Sequence, residues 1–377
     1  MGNDVFLYRI RRSPETLDAL KSAETRSRGG TLSSDLPEFA DFTWISTPGI
    51  HYGIDENDEI RLAIRITYVE FSDASLSWDK VSKEWLEVQD TIQEWTTLAQ
   101  EITTNVAAGA GTTREASAKR RGHMWGVGWH QSMQENTTAA SYAPLRETWA
   151  KKRLVFSLLG RKERLMMRQR MRELEEDGSL KKVSEVYLKG FGSLVPGPQQ
   201  AVIDIAELFN IPSFANHRWK GEMTDFTGAN AMTITNGGFS NCVHCDNDFC
   251  SIVYGAWWVA EQFYRSLQPG QKKERYGYRH NPLFDHKDIK GGEFIWGQYN
   301  IGVKFDRCLV NRAEGLVECM WMGSEDAHAS LLSLDPGGCT RFGSSIQLTR
   351  RGVNAVNAVR RYDEDVMPTR VKGTDMY

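Results

Sequence analysis

The sequence predicts an α+β protein in which a helical N-terminal region precedes a β-sandwich or jelly roll. The first half contains long stretches with apolar residues at helical spacing, whereas the second half changes to short runs rich in aromatic and β-branched residues. Glycine, proline and aspartate separate these runs, as is typical of short strands joined by turns. With 377 residues, of which 40% are hydrophobic and 25% charged, the chain can bury a large core.

One strand and one long helix are predicted near the N-terminus. IRLAIRITYVEF at 60–71 alternates apolar and polar residues, which predicts a strand with one buried face. The stretch from 78 to 98 places tryptophan, leucine and isoleucine at helical spacing. Ser77 and Asp79 are both good N-terminal caps, so we expect the helix to begin at one of them.

More helix is predicted before the strands begin. Residues 144–187 are mostly helical and basic in pattern, 190–200 are rich in turn residues, and 199–210 predict one further helix. We therefore divide the chain into 1–190, an N-terminal strand and helical region with a basic helix that packs on the core, and 191–377, the core.

The strands of the core are expected from about residue 228 onwards. Six short runs predict them: AMTIT, FCSIVYGAWWVA, GGEFIWGQYNIGVKFD, GLVECMWMG, HASLLSL and TRFGSSIQLT. Tryptophan is abundant in these runs, which suits a β-rich core around a site that excludes water.

Charge is unevenly distributed along the chain. The net charge of −3 argues against a surface that is basic throughout, yet residues 151–172 hold nine lysines or arginines and one glutamate. This basic stripe suits a polyanion such as DNA, and it suits equally well a solvated helix face balanced by the acidic residues that follow. If it binds DNA, the candidate contacts to the phosphate backbone are Arg161, Lys162, Arg164 and Arg168.

Cysteine usage and hydropathy indicate the compartment. All six cysteines follow residue 240, a distribution that favours reduced thiols over a disulfide scaffold. The N-terminus lacks a signal-like segment, and no run of about 18 apolar residues occurs. We expect a soluble intracellular protein without membrane contact, and no sequence feature indicates an obligate protein partner.

The stretch SNCVHCDNDFC at 240–250 has the composition of a metal site. Zinc usually needs two Cys-x2–4-Cys pairs or their histidine equivalents, and Cys242 with Cys245 makes only one such pair before the next distant cysteine at 308. Iron needs two histidines and one carboxylate. His244 and Asp246 are two residues apart, so on a strand both side chains project to the same side. The spacing therefore favours iron.

A second histidine and an arginine complete the iron hypothesis. His328, just before an apolar run, is the leading candidate for the third ligand. Arg341 is predicted on the next strand, and its guanidinium can bind a cosubstrate carboxylate bidentately. His-Lys-Asp at 286–288 is a second His-x-Asp motif, but it lies in a polar stretch only 42 residues before His328, so we favour His244.

Four segments together resemble a known family. CVHCD, GGEFIWGQYNIGVKFD, MWMGSEDAHAS and CTRFGSSIQL are similar to the ten-eleven translocation (TET) and J-binding protein family of Fe(II)- and 2-oxoglutarate-dependent DNA dioxygenases, in particular its shorter fungal members. The similarity covers about 225–350, and the first 190 residues contain no motif of this family. The resemblance implies a double-stranded β-helix (jelly-roll) core with the N-terminal helices packed around it.

The resemblance also implies the cofactors. Fe(II) would be held by His244, Asp246 and His328, and 2-oxoglutarate by Arg341, with O2 as the second cosubstrate. A methyl group on a base of double-stranded DNA would be oxidised after the base is flipped out of the helix. The family substrate is 5-methylcytosine, and such an enzyme is expected in the nucleus.

Several positions depart from the pattern of the animal enzymes. Phe249 stands where they have asparagine, and Gly343 replaces a serine, so that Ser345 is the next hydroxyl on that face and a candidate for cosubstrate binding. Asn230 is a further candidate for binding 2-oxoglutarate, or it makes a structural hydrogen bond. Thr349 replaces a base-contacting histidine of those enzymes.

Substrate contacts are the least determined part of the site. Asp335 lies between His328 and Arg341, where a carboxylate could accept from an exocyclic amine, although Asp-Pro-Gly-Gly is also a turn sequence. Weaker candidates for substrate binding are Gln347, Asn247 and Asp248. Because cytosine and adenine both carry such an amine, N6-methyladenine demethylation is a close alternative. Oxidation of a small molecule or a protein, or a catalytically inactive binding module, are more distant ones.

Overall fold

The computed structural model describes residues 4–27, 31–67, 78–99, 101–102, 121–131, 139–141, 165–167, 169–174, 176–215, 228–265, 275–281, 283–307, 316–335, 337–360 and 371–372. The α-helices with both ends described are α1 (Pro14–Arg26), α2 (Trp78–Leu98), α3 (Ser179–Leu194), α4 (Pro196–Leu208) and α5 (Arg350–Arg360). The strands before α3 are β1 (Val5–Arg9), β2 (Thr43–Ile45), β3 (Gly49–Ile54), β4 (Ile60–Thr67), β5 (Arg121–Gln131) and β6 (Ala139–Ser141). The strands after α4 are β7 (Ala231–Ser240), β8 (Ile252–Arg265), β9 (Arg275–Arg279), β10 (Lys290–Gly291), β11 (Phe294–Trp296), β12 (Ile301–Val303), β13 (Leu316–Met322), β14 (His328–Ser330), β15 (Ser333–Leu334), β16 (Cys339–Gln347) and β17 (Val371–Lys372).

A large mixed sheet contains strands from both halves of the chain. Its order among the described residues is β1-β3-β4-β13-β8-β16-β7-β5-β6-β17, with β9 paired to β8. The pairs β1/β3 and β6/β17 are parallel, and the other neighbours are antiparallel. Strands β1, β3 and β4 therefore continue the same hydrogen-bonded sheet as β13 and β8, although hundreds of residues separate them in sequence.

A smaller sheet packs against one face of the large one. It has the order β14-β11-β12-β2. Trp257 and Trp321 of the large sheet pack with Phe294, Trp296 and neighbouring residues of the smaller sheet in one buried cluster. The residue beside Trp257 points the other way, because side chains alternate along a strand: Trp258 lies in the cluster shared with the helices. The GAWWVA run thus packs into two separate hydrophobic clusters, one on each face of the large sheet.

The helices cover the remaining faces. Helices α2, α3, α4 and α5 bury apolar residues against the outer face of the large sheet. Helix α1 packs instead on the outer side of the smaller sheet, where Leu20 meets Ile295 and Ala329. Ser13 accepts a hydrogen bond from the Thr16 N–H at 3.3 Å and so caps α1.

The predicted α+β class is confirmed, and each of the six runs contains a strand. The expected strand at 60–71 is described as far as Thr67, and the helix predicted from Ser77 or Asp79 spans Trp78–Leu98. The proposed division of the chain at residue 190 stays a prediction. Within the described residues, no helix is both long and apolar enough to cross a membrane.

The prediction of a turn-rich segment at 190–200 is wrong. Helix α3 continues to Leu194 and α4 begins at Pro196, so only one residue separates them. Gly190 is tolerated inside α3 because it packs against the Tyr254 hydroxyl, where a Cβ atom would overlap. Phe191 and Leu194 are buried beside it, and this burial outweighs the weak helix propensity of glycine.

Candidate active site

The chain segment between β7 and β8 carries two of the predicted metal ligands. We expected a strand there, but the segment is a loop that pairs with β14 at a single bridge. The His244 N–H donates to the His328 carbonyl at 3.0 Å, and the His328 N–H donates back to the His244 carbonyl at 2.9 Å. The Asp246 N–H donates to the Gly323 carbonyl at 2.8 Å. Main-chain hydrogen bonds therefore bring the three side chains together.

His244, Asp246 and His328 converge on one point. Their ligand atoms all lie within 4.8 Å of one another, and the two imidazole centroids are 4.6 Å apart. The Nε2 atom of His244 is 3.5 Å from Asp246 Oδ1, and that of His328 is 3.3 Å from Asp246 Oδ2. Two ligand atoms that bind one ion at right angles are separated by roughly 3 Å. The cluster therefore has the spacing of a metal site.

Hydrogen bonds fix which nitrogen of each histidine faces this point. The Nδ1 atom of His244 donates to the Cys242 carbonyl at 2.9 Å, and that of His328 donates to the Asp326 carbonyl at 2.9 Å. Because carbonyl oxygens only accept, both Nδ1 atoms carry a proton in the neutral rings. Both Nε2 lone pairs are then directed toward Asp246, as metal coordination requires.

Charge interactions inside the cluster outweigh burial. Burial alone would raise the pKa of Asp246, but when the imidazoles are protonated, the charge of His328 and hydrogen bonds from the Nε2–H groups of both rings hold that pKa well below its ordinary value. Burial opposes protonation of His328, yet the Asp246 carboxylate raises the pKa of this histidine. The carboxylate is therefore ionised at neutral pH, which is the form that binds a cation.

Arg341 is buried in β16 and held by surrounding acceptors, with 7% of its surface exposed. Its Nε donates to His286 Nδ1 at 3.1 Å and its Nη1 to the Gly291 carbonyl at 2.7 Å. The Nη2 atom donates to the carbonyls of His286 and Ile289, both at 3.2 Å. Carbonyl oxygens orient a guanidinium without cancelling its charge, so this arrangement presents a fixed cation to an anionic ligand.

Aromatic side chains connect Arg341 with the metal-ligand cluster. The Arg341 guanidinium lies 4.7 Å from the Phe305 ring centroid, and Phe305 lies 5.7 Å from Trp257. Trp257 contacts Phe294 at 4.9 Å, and Phe294 in turn lies 5.7 Å from the His328 ring. This apolar wall of packed rings extends from the arginine to the three ligands, so it can exclude water between them.

The family comparison agrees with this geometry. A family model described as the Tet-like 2OG-Fe(II) oxygenase superfamily matches residues 82–333. The chain belongs to this superfamily. No curated protein matches the chain.

The protein is accordingly a 2-oxoglutarate-dependent dioxygenase that uses Fe(II), 2-oxoglutarate and O2. The donor set fits Fe(II), because two imidazole nitrogens and one carboxylate oxygen on one side of an ion leave its other positions open. The buried guanidinium of Arg341 likewise fits the distal carboxylate of a keto acid.

The alternative metal sites do not form among the described residues. No disulfide joins Cys242, Cys245 or Cys250 within the described residues, and no described cysteine belongs to a group of side chains close enough to hold an ion. His286, from the second His-x-Asp motif, is fully buried and stacks on Phe305 at 5.4 Å. It supports Arg341 in this Tet-like oxygenase instead of joining the metal-ligand cluster.

Of the two weaker cosubstrate candidates, Ser345 lies on β16 with Arg341, and Asn230 lies just before β7. Ser345 is half-buried on the same face as Arg341 and opposes Thr233 and Gly255 on the neighbouring strands. Asn230 is fully buried at the far end of the strand pair, where its Oδ1 accepts from the Thr349 N–H at 2.8 Å. The structure thus places Asn230 in a main-chain contact and does not bring it to Arg341.

Gly343, which stands where the resemblance predicts serine, has no space for a side chain. A Cβ atom at this position would lie 2.7 Å from Trp257 Nε1 and 2.8 Å from Thr235 Oγ1. Gly343 also shares its strand face with Arg341. The indole of Trp257 therefore occupies the volume that a serine would need beside the arginine.

Gly343→Ala is expected to displace Trp257 and to raise the KM for 2-oxoglutarate several-fold. The new methyl group overpacks a buried contact, which typically destabilises a protein by about 1–3 kcal/mol. Succinate formation at varied 2-oxoglutarate and a thermal melt measure the two effects. Gly197→Ala is the matched control, because a Cβ there meets nothing within 4 Å. A KM equal to that of the control would contradict the assigned contact.

The predicted substrate contacts occupy different environments. Asp335 accepts hydrogen bonds from Ser333 Oγ at 3.1 Å and Thr340 Oγ1 at 2.6 Å, which is a turn-stabilising arrangement. Asn247 is exposed beside Asp246, and its Oδ1 accepts from Arg350 at 3.2 Å.

Asp248 and Gln347 differ in burial. Asp248 is 5% exposed, and its Oδ2 atom receives no hydrogen bond from the described residues. Burial, followed by the nearby charge of Asp246, raises its pKa well above the ordinary value. Gln347 is half-buried and pairs with Ala231 at the end of β16.

The candidate DNA-backbone contacts Arg161, Lys162, Arg164 and Arg168 all lie outside the described residues. The neighbouring part of the basic stripe is described at 165–167 and 169–172 and is helical. Met167 and Met171 are buried there. Arg170 donates to both carboxylate oxygens of Glu94, at 2.7 and 2.9 Å, so part of the charge of the stripe is met within the protein.

The sequence does not reveal the roles of three residues that shape this site: His286, Trp257 and Asp326. For His286 it indicates only a rival metal ligand, and not the contact with Arg341. Trp257 carried a signal in its alternation with Trp258, which places one tryptophan on each face of the strand. Asp326 gave no signal, because its contacts come from distant parts of the chain.

Proposed function

We propose that this Tet-like dioxygenase oxidises the methyl group of 5-methylcytosine in double-stranded DNA. The observation that carries the proposal is the convergence of His244, Asp246 and His328, which a continuous series of ring contacts connects to the buried cation of Arg341. Membership in the Tet-like superfamily supports a methylated base as the substrate class.

Different side chains would bind the metal, bind the cosubstrate and exclude water. His244, Asp246 and His328 would hold Fe(II), which supplies activation of O2 when bound. Arg341 would bind the distal carboxylate of 2-oxoglutarate and fix its keto-acid end toward the three ligands. Trp257, Phe294 and Phe305 form the apolar wall that keeps bulk water from the reacting groups.

The proposed reaction consumes one O2 for each methyl group. 2-Oxoglutarate loses CO2 and becomes succinate, which takes one oxygen atom, and the methyl C–H bond receives the other to give a hydroxymethyl group. The two electrons from decarboxylation and the two from the C–H bond together reduce O2. On an N-methyl group the same product would release formaldehyde and leave an N–H bond.

The two-sheet arrangement supports a double-stranded β-helix core, which we propose for this chain with the N-terminal helices around it. The clusters between the two sheets and beneath the helices have the layering that such a core requires. We also propose that residues 191–377 provide this core and that 1–190 pack on it.

Base recognition requires the target base to leave the DNA helix. Flipping costs a few kcal/mol, which contacts to the base must offset. Asn247 is exposed next to Asp246 and is therefore the best placed of the predicted substrate contacts. Asp335 would have to give up its hydrogen bonds to Ser333 and Thr340 before it accepts from a base. We further propose that the basic stripe contacts phosphates and that the protein acts in the nucleus.

A nucleoside assay tests this function. Duplexes that contain 5-methylcytosine or N6-methyladenine are incubated with the protein, Fe(II) and 2-oxoglutarate, digested and weighed by mass spectrometry. We expect 5-hydroxymethylcytosine and an equal amount of coupled succinate. Loss of the methyl group from adenine alone would favour the demethylase alternative, and no change in either base would exclude both.

The proposed DNA contact of the basic stripe is tested by measuring DNA affinity at several salt concentrations. Reversing the charge of Arg161, Arg164 and Arg168 should weaken DNA binding and reduce its dependence on salt, because fewer counterions are released. Arg279→Glu controls for the reversal of an exposed charge outside the basic stripe in sequence. Equal affinity of both variants would remove the stripe from the interface.

A further inference from the structure

We propose that the N-terminal segment, residues 4–67, positions the metal ligands. Asp326 is the positioning residue for His328, and Arg12 and Arg61 hold Asp326 in place. The inference rests on the proposed role of His328 as a metal ligand. It adds residues that precede the family match, which begins at 82.

Asp326 is a fully buried carboxylate with several donors on one oxygen. Its Oδ1 accepts from Arg12 Nη2 at 3.0 Å and Arg61 Nη2 at 3.1 Å. The same atom accepts from Gln298 Nε2 at 2.7 Å and the Tyr299 hydroxyl at 2.9 Å. Two positive charges from the N-terminal segment therefore stabilise a negative charge that could not remain buried alone.

The main chain of Asp326 connects this ion cluster to the metal ligand. Its carbonyl accepts the Nδ1 proton of His328 at 2.9 Å, which sets the tautomer and the orientation of the ring. Gln298 reinforces the connection, because its Oε1 accepts from the Ala327 N–H at 3.2 Å. A displacement of Asp326 would thus turn the imidazole of His328 away from Asp246.

A second contact from the same segment reaches the other histidine. Glu24 of α1 is buried, and its carboxylate accepts a hydrogen bond from the Val243 N–H. Val243 immediately precedes His244. The start of α1 is also attached near the ligands, because the Ser13 N–H donates to the Gln298 carbonyl at 2.7 Å. Each histidine ligand therefore lies within two positions of a residue that the N-terminal segment holds by hydrogen bonds.

Packing alone does not account for these ion pairs. Buried ion pairs are often no more stabilising than apolar side chains of similar volume, so their charges are weak evidence for a purely structural role. The Arg12 side chain is 55% exposed and contributes little to the apolar core. Its guanidinium nevertheless reaches a carboxylate beside a metal ligand, and removing it should change the ligand geometry more than the overall stability.

The test uses Co(II) as a spectroscopic probe of the full-length protein. Arg12→Ala and Asp326→Asn are titrated with Co(II), and its visible absorption and the thermal midpoint without metal are recorded. Loss of outer-shell partners typically costs about 10–100-fold in metal affinity. We expect a weakening in this range for both variants, with Arg12→Lys partly restored.

Arg9→Ala is the matched control, because it removes the same charge from a surface pair with Asp58 in the same segment. Arg12→Ala is expected to melt within the range of this control while binding Co(II) more weakly. Wild-type affinity in Arg12→Ala would overturn the inference, and so would a metal-free midpoint that falls far below that of the control. If Asp326→Asn fails to fold, Arg12→Ala and Arg12→Lys still decide the question.

His328→Ala separates this inference from the proposed function. If it loses Co(II) while Arg12→Ala keeps it, the metal site is supported and the role of the N-terminal segment fails. If His328→Ala binds Co(II) as the wild type does, the metal assignment itself fails and the inference fails with it.

Discussion

Replacing His328 or Asp246 with alanine is expected to reduce succinate formation to the level seen without enzyme. Each side chain supplies one of the donors that converge within 4.8 Å, and two remaining ligands cannot hold the ion firmly in this site. The loss should exceed the roughly 100-fold that changes outside the ligand set can cause.

The charge of Asp246 can be separated from its shape. Asp246→Asn keeps the size of the side chain and one oxygen, but it removes the negative charge that both imidazoles face. We expect it to lose Fe(II)-dependent turnover as Asp246→Ala does, because the ion then has only neutral ligands. Isothermal titration with Fe(II) under anaerobic conditions measures the binding directly.

His123→Ala is a suitable control for the histidine change. Its side chain, on the strand β5, is 52% exposed, pairs with Glu101 and does not belong to the metal-ligand cluster. It should retain both Fe(II) binding and succinate formation. Substantial turnover in His328→Ala, with a normal melting curve, would show that this histidine is not a metal ligand.

Replacing Arg341 with lysine is expected to raise the apparent KM for 2-oxoglutarate by about 10–100-fold. A hydrogen bond to a charged group contributes about 1.5–3 kcal/mol, and lysine cannot reproduce the fixed, planar orientation of a guanidinium. The turnover rate at saturating 2-oxoglutarate should fall less, because Arg341 is proposed to bind the cosubstrate away from the metal. Succinate formation across a range of 2-oxoglutarate concentrations measures both quantities.

Arg341→Ala should in addition destabilise the protein. The carbonyls of His286, Ile289 and Gly291 would lose the Arg341 donor, and a buried polar group that is left without any partner costs about 1–3 kcal/mol. A thermal melt of Arg341→Ala beside Arg341→Lys separates this effect from cosubstrate binding. Arg279→Lys, in an exposed pair with Glu261, controls for the exchange itself. An unchanged KM in Arg341→Lys would remove this arginine from the cosubstrate site.

The chemical identity of the site was predictable because it depends on short-range spacing. His244 and Asp246 are two residues apart, and His328 and Arg341 follow in the order that the family resemblance implies. The predicted strand geometry around His244 was wrong, yet the ligands still converge. A single main-chain bridge between His244 and His328 brings the ligands together, which a regular strand was expected to do.

The environment of Arg341 could not be predicted in the same way. His286 looked like a competing ligand, because its motif is the same two-residue pattern. Only the fold shows that its ring accepts a hydrogen bond from Arg341 across 55 positions of sequence. Gly343 likewise appeared as a missing serine, and only sheet register reveals that Trp257 stands opposite and fills the volume.

The sequence by itself determined the α+β class and the donor atoms of the metal-ligand cluster, and it supplied the cation that we propose for the keto acid. These follow from side-chain chemistry and from periodicities of a few residues. The tertiary structure alone decided that Arg12 and Arg61 reach Asp326, across 314 and 265 positions. Contacts at such separations are set by which strands pair and in what register, and no local pattern encodes either.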